Sequence, residues 1–294
     1  MNNQLILLSI QIFIVVLILW MLYTILSYAK KHNISLKEKF WTGFGIGYLT
    51  DLLDTLGIGT FATTTSLLKA TKLIEDDRRI PATMTTAHII PILLEALLFI
   101  TIVEVEMTTL ISLAIAAFTG ASVGARVTQD WDTRKVQRVL GILLIIAAGI
   151  MVYRMVTNPG ADLANDVRGL TGWKLLVGIV FDFFIGMLLS MGLGNYAPEL
   201  IFFSLMGISP AVALPVMMLN AAMMLSAGAK QFIQSGRVNW PGVPGIIVGG
   251  VLGVLTAAFF LSSLDVNNLK VLVVFIASYT GITLLRSSFI KTVK

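Results

Sequence analysis

Six ionisable side chains stand inside otherwise apolar runs of this chain: Asp51, Asp54, His88, Glu95, Asp182 and Glu199. Charge is costly away from water, so such groups face a cavity or a partner and are candidates for carrying protons or ions. Asp54 falls just before Gly57 and Gly59, at the C-terminal end of a helical run, where free carbonyls and a carboxylate together favour a cation, either a proton or sodium. His88 and Glu95 are seven residues apart, on one face of a predicted helix with Pro91 between them, and both residue types exchange protons near neutral pH when shielded from water. Glu199 lies about one turn beyond Gly192 and Gly194, where it holds a proton, turns away from a bound anion, or serves as the proton site itself. These four, Asp54, His88, Glu95 and Glu199, are the expected ion-coupling residues.

A second kind of chemistry follows from the glycines. Each Gly-x-Gly is followed by a good N-cap residue, Thr60 in one case and Asn195 in the other. A half-helix starting there directs free N–H groups and about half a positive charge at whatever lies before it. Two such ends, opposed near the middle of a bilayer, would cradle a small oxyanion without a buried Arg or Lys. The expected substrate-binding set is Gly57, Gly59, Thr60, Thr63 and Thr64 in the first segment, with Gly192, Gly194, Asn195 and Tyr196 in the second. Metal binding is not expected, because the chain has no cysteine and two histidines, His32 and His88. No nucleotide or cofactor motif occurs, and the 13 methionines read as adaptable packing.

The elements that must hold these residues are membrane helices. Of 294 residues, 56% are hydrophobic and 13% charged, and the mean hydropathy is +0.89, which excludes a water-soluble enzyme. A spanning helix needs about 20 apolar residues. Runs of that kind are predicted at Leu5–Tyr28, Ile80–Val103, Met107–Ala125, Val136–Val156, Ala211–Ala229, Val243–Leu264 and Leu269–Leu285, with interrupted segments at Phe40–Lys69 and Trp173–Met206. The first run reads as a retained helix, since the basic residues Lys30 and Lys31 follow it and none precedes it. Lys and Arg are spread over short loops without aromatic interleaving, so nucleic acid is not an expected partner despite a net charge of +5.

Sliding the chain over itself reveals a duplication. Gly57–Leu68 lies over Gly192–Phe203 at an offset of 135, and Gly120 and Gly124 lie over Gly249 and Gly253 at an offset of 129. Each half is an interrupted segment followed by three continuous ones. If the interrupted segments enter and leave on one side, 17 basic residues fall in inside loops and 4 outside; if they cross, the division is 12 to 9. The first arrangement obeys the positive-inside rule far better. Three crossings per half then invert the second half relative to the first. The expected fold is an all-α integral membrane protein with an inverted repeat of re-entrant broken-helix hairpins, each followed by three transmembrane helices, plus an extra N-terminal transmembrane helix. Its divisions are 1–39 (N-terminal helix and cytoplasmic loop), 40–157 (first repeat), 158–172 (linker) and 173–294 (second repeat). The N-terminus is expected outside and the C-terminus inside the cytoplasmic membrane of a prokaryote.

The duplicated Gly-x-Gly segments, the ATMTTA stretch at Ala82–Ala87 and the glycine-paired third helices resemble the sulfite exporter TauE/SafE family, also called toluene-sulfonate uptake permeases, over Phe40 to about Leu285. Where that family carries a glycine-rich turn with a nearby proline, this chain has GTFATTT in the first half, while Pro198 stands in the second. The resemblance implies a carrier of small sulfur-containing or organic anions of the sulfite, sulfonate or sulfoacetate type. Inverted repeats with interrupted segments and ionisable groups at depth suit alternating access coupled to protons or sodium, rather than an enzyme. A passive anion channel and an intramembrane hydrolase built on paired hairpins are the alternatives. Small-residue faces at Gly120/Gly124 and Gly249/Gly253 are expected to serve internal packing, and a homodimer stays open.

Overall fold

The computed structural model describes residues 3–56, 60–127, 131–157, 167–189, 193–261 and 266–289. Among the described residues the chain forms α-helices and one 3-10 turn, Asp77–Arg79, and no strand. In order the helices are α1 (Asn3–Lys31), α2 (Phe40–Thr55), α3 (Thr60–Ala70), α4 (Ile80–Ile102), α5 (Met107–Val127), α6 (Thr133–Thr157), α7 (Trp173–Leu189), α8 (Tyr196–Leu205), α9 (Pro210–Gln234), α10 (Val243–Leu261) and α11 (Val266–Phe289). Six of them, α1, α4, α5, α6, α9 and α10, are long and apolar enough to cross a bilayer. With 24 residues, α11 is about 36 Å long. The segments expected to be interrupted are interrupted: α2, α3, α7 and α8 have 16, 11, 17 and 10 residues, which is about 15–26 Å each and short of a 30 Å hydrocarbon layer. The protein is an all-α integral membrane protein.

The helices gather into two compact units, Met1–Val103 with Met218–Ser263, and Glu104–Met217 with Leu264–Lys294. The spatial units cut across the sequence repeats 40–157 and 173–294. In the first unit α2, from the first repeat, packs along α10, from the second; in the other unit α7, from the second repeat, packs along α5, from the first. Glycine is the reason. A Cβ on Gly47, Gly245, Gly249 or Gly253 would overlap backbone of the facing helix in the α2–α10 pair, one on Gly43 would overlap Gly242 just before α10, and one on Gly120, Gly124 or Gly186 would overlap backbone in the α5–α7 pair. Without side chains between them the helix backbones touch, and dispersion over that contact holds each pair together in a solvent as apolar as the helices.

Both pairs use the same register. Gly249 meets Phe44 and Gly120 meets Phe183; Gly253 meets Tyr48 and Gly124 meets Met187; Gly47 meets Ile246 and Gly186 meets Ala117. On α5 and α10 these positions differ by 129, matching the offset seen in the sequence, but on α2 and α7 they differ by 139. The returning helices begin at Thr60 and Tyr196, an offset of 136. The second half is therefore about one helical turn shorter between its packing face and its break. In the first half Asp51 and Asp54 lie in that longer stretch.

In each unit the two ends of the interrupted segment are tied near one another by hydrogen bonds. Glu38, just before α2, accepts the N–H of Gly242 at 2.9 Å, and Leu73, just after α3, accepts a bond of 2.9 Å from the Asn239 amide, so one short segment holds both ends. Ile46, Leu68, Leu73, Ile80, Val238 and Val243 form the apolar cluster there. In the other unit Lys174 Nζ, at the start of α7, donates to the carbonyl of Met206, at the end of α8, at 2.8 Å. The remaining helices close the units. Along α4, α1 buries only the stripe Ile14, Met21, Ile25 and Ala29, and leaves Leu8, Phe13 and Leu19 exposed, as a lipid-facing helix does. Gly141 and Gly281 bring α6 against α11, and α8 packs on both.

Candidate functional site

Asp51 and Asp54 are three residues apart and so share a face of α2 at its C-terminal end. Both are buried, at 0% and 1% exposure, and His88 on α4 is equally enclosed at 1%. His88 Nδ1 lies 2.9 Å from each carboxylate oxygen of Asp51, and its Nε2 lies 3.1 Å from Thr64 Oγ1 on α3. With Asp51 ionised, the ring N–H at Nδ1 donates to the carboxylate. The Thr64 hydroxyl then donates to Nε2 of a neutral ring, or accepts from a protonated one. Three helices are thus joined by one chain of side chains that accommodates a proton with little more than a hydroxyl rotation. Gly250 on α10 completes the enclosure: a Cβ there would overlap Asp51 and lie 2.6 Å from Pro91 Cγ.

Asp54 reaches across the break. Its carboxylate accepts both the backbone N–H and the hydroxyl of Thr60. Its other oxygen, Oδ2, meets no donor among the described residues. Thr60 itself is the first residue of α3 rather than the cap before it, and its N–H is satisfied by Asp54 instead of by a local side chain. The neighbouring hydroxyls are engaged elsewhere: Thr63 donates to the Thr60 carbonyl at 3.0 Å and Thr65 to Met84 Sδ at 3.4 Å.

Of the expected coupling residues, the first unit brings Asp54 and His88 to the same end of the α2–α3 hairpin through their threonine partners. Glu95 is fully buried two turns further along α4, and the ring bonds of His88 run to Asp51 and Thr64. Because α4 is buried on nearly all sides, sharing a face with His88 does not single Glu95 out. Asp51 is the residue that sequence reasoning passed over as a site residue. The signal for it was the three-residue spacing to Asp54.

The second unit holds the other candidates. Asn195 stands at the cap position of α8 as expected, yet its side chain makes no cap bond. Instead its amide donates to Glu199 Oε1 at 3.2 Å and to the Met217 carbonyl at 3.4 Å. Glu199 is therefore turned back onto its own helix start, in the first turn, where a carboxylate is stabilised by the helix dipole. Tyr196 is buried as the first residue of α8, and Gly194 is exposed with open space around it. Gly57, Gly59 and Gly192 lie outside the described residues.

Among known proteins, the sulfite exporter TauE/SafE family matches residues 1–151, which takes in α1, the α2–α3 hairpin, α4, α5 and most of α6. The match includes the N-terminal helix that the motif resemblance left out, and ends before the second repeat. No curated protein and no solved structure matches the chain. Helices broken inside a membrane protein leave polar backbone tolerable only beside a buried or aqueous polar site, and here Asp54 bonds Thr60 across the first break. The chain belongs to the sulfite exporter TauE/SafE family and is a membrane transporter.

Proposed function

We propose that this chain is a secondary carrier that moves a small sulfur-containing or organic anion, of the sulfite, sulfonate or sulfoacetate type, across the cytoplasmic membrane by alternating access, with protons as the coupling ion. The observation that carries the reading is the buried Asp51–His88–Thr64 chain beside the helix break, with Asp54 bound to Thr60 one turn away. A dry carboxylate–imidazole pair holds or releases a proton, whereas a sodium ion needs several oxygen ligands. Family membership supports an anionic cargo, since membrane transporters of this family are named for sulfite export.

In this reading α2–α3 and α7–α8 are re-entrant hairpins dipping into the bilayer from opposite faces, and the repeats are inverted. The return of each hairpin to its own starting segment supports the dip, and the loops that hold Lys37, Lys39, Lys72, Arg79 and Arg237 then share the inner face. Glu104 and Arg168, which form an ion pair, share the outer face. The N-terminus is outside and the C-terminus inside.

Transport and topology are tested separately. Proteoliposomes with the carrier are loaded and diluted under an imposed pH gradient, and sulfoacetate, methanesulfonate and sulfite uptake is followed. Accumulation driven by the gradient and lost in His88→Ala is the expected result; accumulation equal in the variant rejects His88 as part of the coupling. For topology, cysteine placed at Asp76 in this cysteine-free chain stays unlabelled by an impermeant thiol reagent applied from outside.

A further inference from the structure

At the start of α3 the protein supplies its own anion. This helix has 11 residues, so its first turn carries the free N–H groups and partial positive charge of a full helix end. The first of those donors is not open to a ligand as the structure stands. Asp54, itself 1% exposed, accepts the N–H and hydroxyl of Thr60, while its Oδ2 is buried without a donor among the described residues. The next hydroxyls along the helix are directed away, Thr63 to its own backbone and Thr64 to His88. A carboxylate with one oxygen bound and the other unserved occupies the place, and makes the bonds, that an oxygen of a sulfonate or carboxylate substrate would make.

We propose that Asp54 is a tethered competitor for the transported anion: the substrate binds the start of α3 only when Asp54 takes up a proton, gives up Thr60 and leaves its donors to the substrate. Two anions at this buried end repel one another, and the nearest ring, His88, is already engaged by Asp51. The step is a protonation, in which the carboxylate oxygen gains a proton from water on the open side and the resulting hydroxyl can itself donate to the incoming anion. No electron moves and no covalent bond of the substrate changes. One proton is bound per anion bound, and release on the far side returns Asp54 to Thr60, which resets the site without substrate.

The groups facing Asp54 are consistent with this assignment. On its own helix there is Asp51, and α4 contributes His88, with Glu95 further along. The first turn of α3 has no titratable residue, and α10 has none at any position. Asp51 already has His88 as its partner, so Asp54 is the carboxylate free to exchange its donors for a proton. The inference rests on the anion-carrier reading and adds to it where the proton goes and why it is obligatory.

The test is binding to the purified full chain in lipid nanodiscs, measured by calorimetry with sulfoacetate and methanesulfonate, whose charges do not change between pH 5.5 and 8. Repeating the titration in buffers of different ionisation heat counts protons taken up. The wild-type protein is expected to bind about one proton per anion, and its affinity to fall toward tenfold per pH unit once Asp54 is ionised. In Asp54→Asn the affinity becomes independent of pH and proton uptake disappears. Anion binding by the wild type without proton uptake overturns the exchange but leaves the anion carrier standing, as does an unchanged pH slope in Asp54→Asn. Failure of the wild type to bind or transport any of the anions overturns both. The wild-type proton count decides the matter even if Asp54→Asn does not fold.

Discussion

The two units share a scaffold and differ in chemistry. In each, a short helix lies backbone to backbone on the third helix of the other repeat, through glycines at equivalent positions; the ends of the first hairpin are tied by residues 239–242 and those of the second by Lys174 directly. Yet the first hairpin carries Asp51, Asp54, Thr60 and Thr64 around a histidine, while the second offers an asparagine bonded to Glu199 and to a backbone carbonyl. The position that matches His88 in the second repeat is Met217, at the same offset of 129 as the glycines. The first half is about one helical turn longer between its packing face and its returning helix, and both aspartates lie in that stretch. The glycine contacts that hold the helices together are common to both units, and the chemistry differs at the break and at the residue facing it.

The shared scaffold is the part most easily broken. Gly249→Val and Gly120→Val each place side-chain atoms where the facing backbone lies, at Phe44 and Phe183, and backbone cannot rotate aside. Each is expected to cost more than about 4 kcal/mol and to remove the folded species in size-exclusion chromatography. If one is tolerated and the other is not, the equivalence of the two pairs is wrong.

A smaller effect is expected from exchanging the chemistry while keeping the scaffold. His88→Met gives the first half the residue of the second, and leaves Asp51 buried without its partner. A loss of about 3–5 kcal/mol in stability and of gradient-driven uptake is expected. Asn195→Ala, in the second unit, unpairs Glu199 Oε1 from its amide donor and should cost about 1–3 kcal/mol while leaving the pH profile of uptake in place. A pH profile that moves as much in Asn195→Ala as in His88→Met would show that the two hairpins contribute alike to coupling.

The smallest effect concerns the start of α5. Glu106 is partly buried, which opposes its ionised form, but it accepts hydrogen bonds from the side chains and backbone N–H groups of Thr109 and Thr108, and these hold its carboxyl below the usual range. A carboxyl of that kind contributes stability above its unfolded value, and the contribution disappears as pH falls through the folded one. Glu106→Gln is expected to lower stability by about 0.5–1 kcal/mol at pH 7, with the difference from wild type closing on acidification. A gap that widens at low pH would reverse the sign of this assignment.

Most of the elements were legible beforehand. The predicted span at Ile80–Val103 is α4 at Ile80–Ile102, and the interrupted segment at Phe40–Lys69 is α2 and α3. Apolar length and Gly-x-Gly breaks are local signals, and lipid imposes them directly on the sequence. The partners of the site residues were not legible. Thr63 and Thr64 are adjacent in a run of three threonines, and nothing in their order says that one bonds back to its own helix and the other to a histidine 24 residues away. In the sequence Asp51 is one of several acids within apolar runs, and only the fold pairs it with His88. Nor did the duplication reveal that each short helix is packed by the third helix of the opposite repeat.

By itself the sequence determined that the chain lives in a membrane, where its helices run and where two of them break, because each of those depends on residues close together in the chain. Only the tertiary structure decided which carboxylate holds the histidine, which one caps α3, and which repeat each glycine face serves. Those outcomes depend on close approach between segments far apart in sequence, where a difference of one helical turn moves a carboxylate into reach of a partner or removes it.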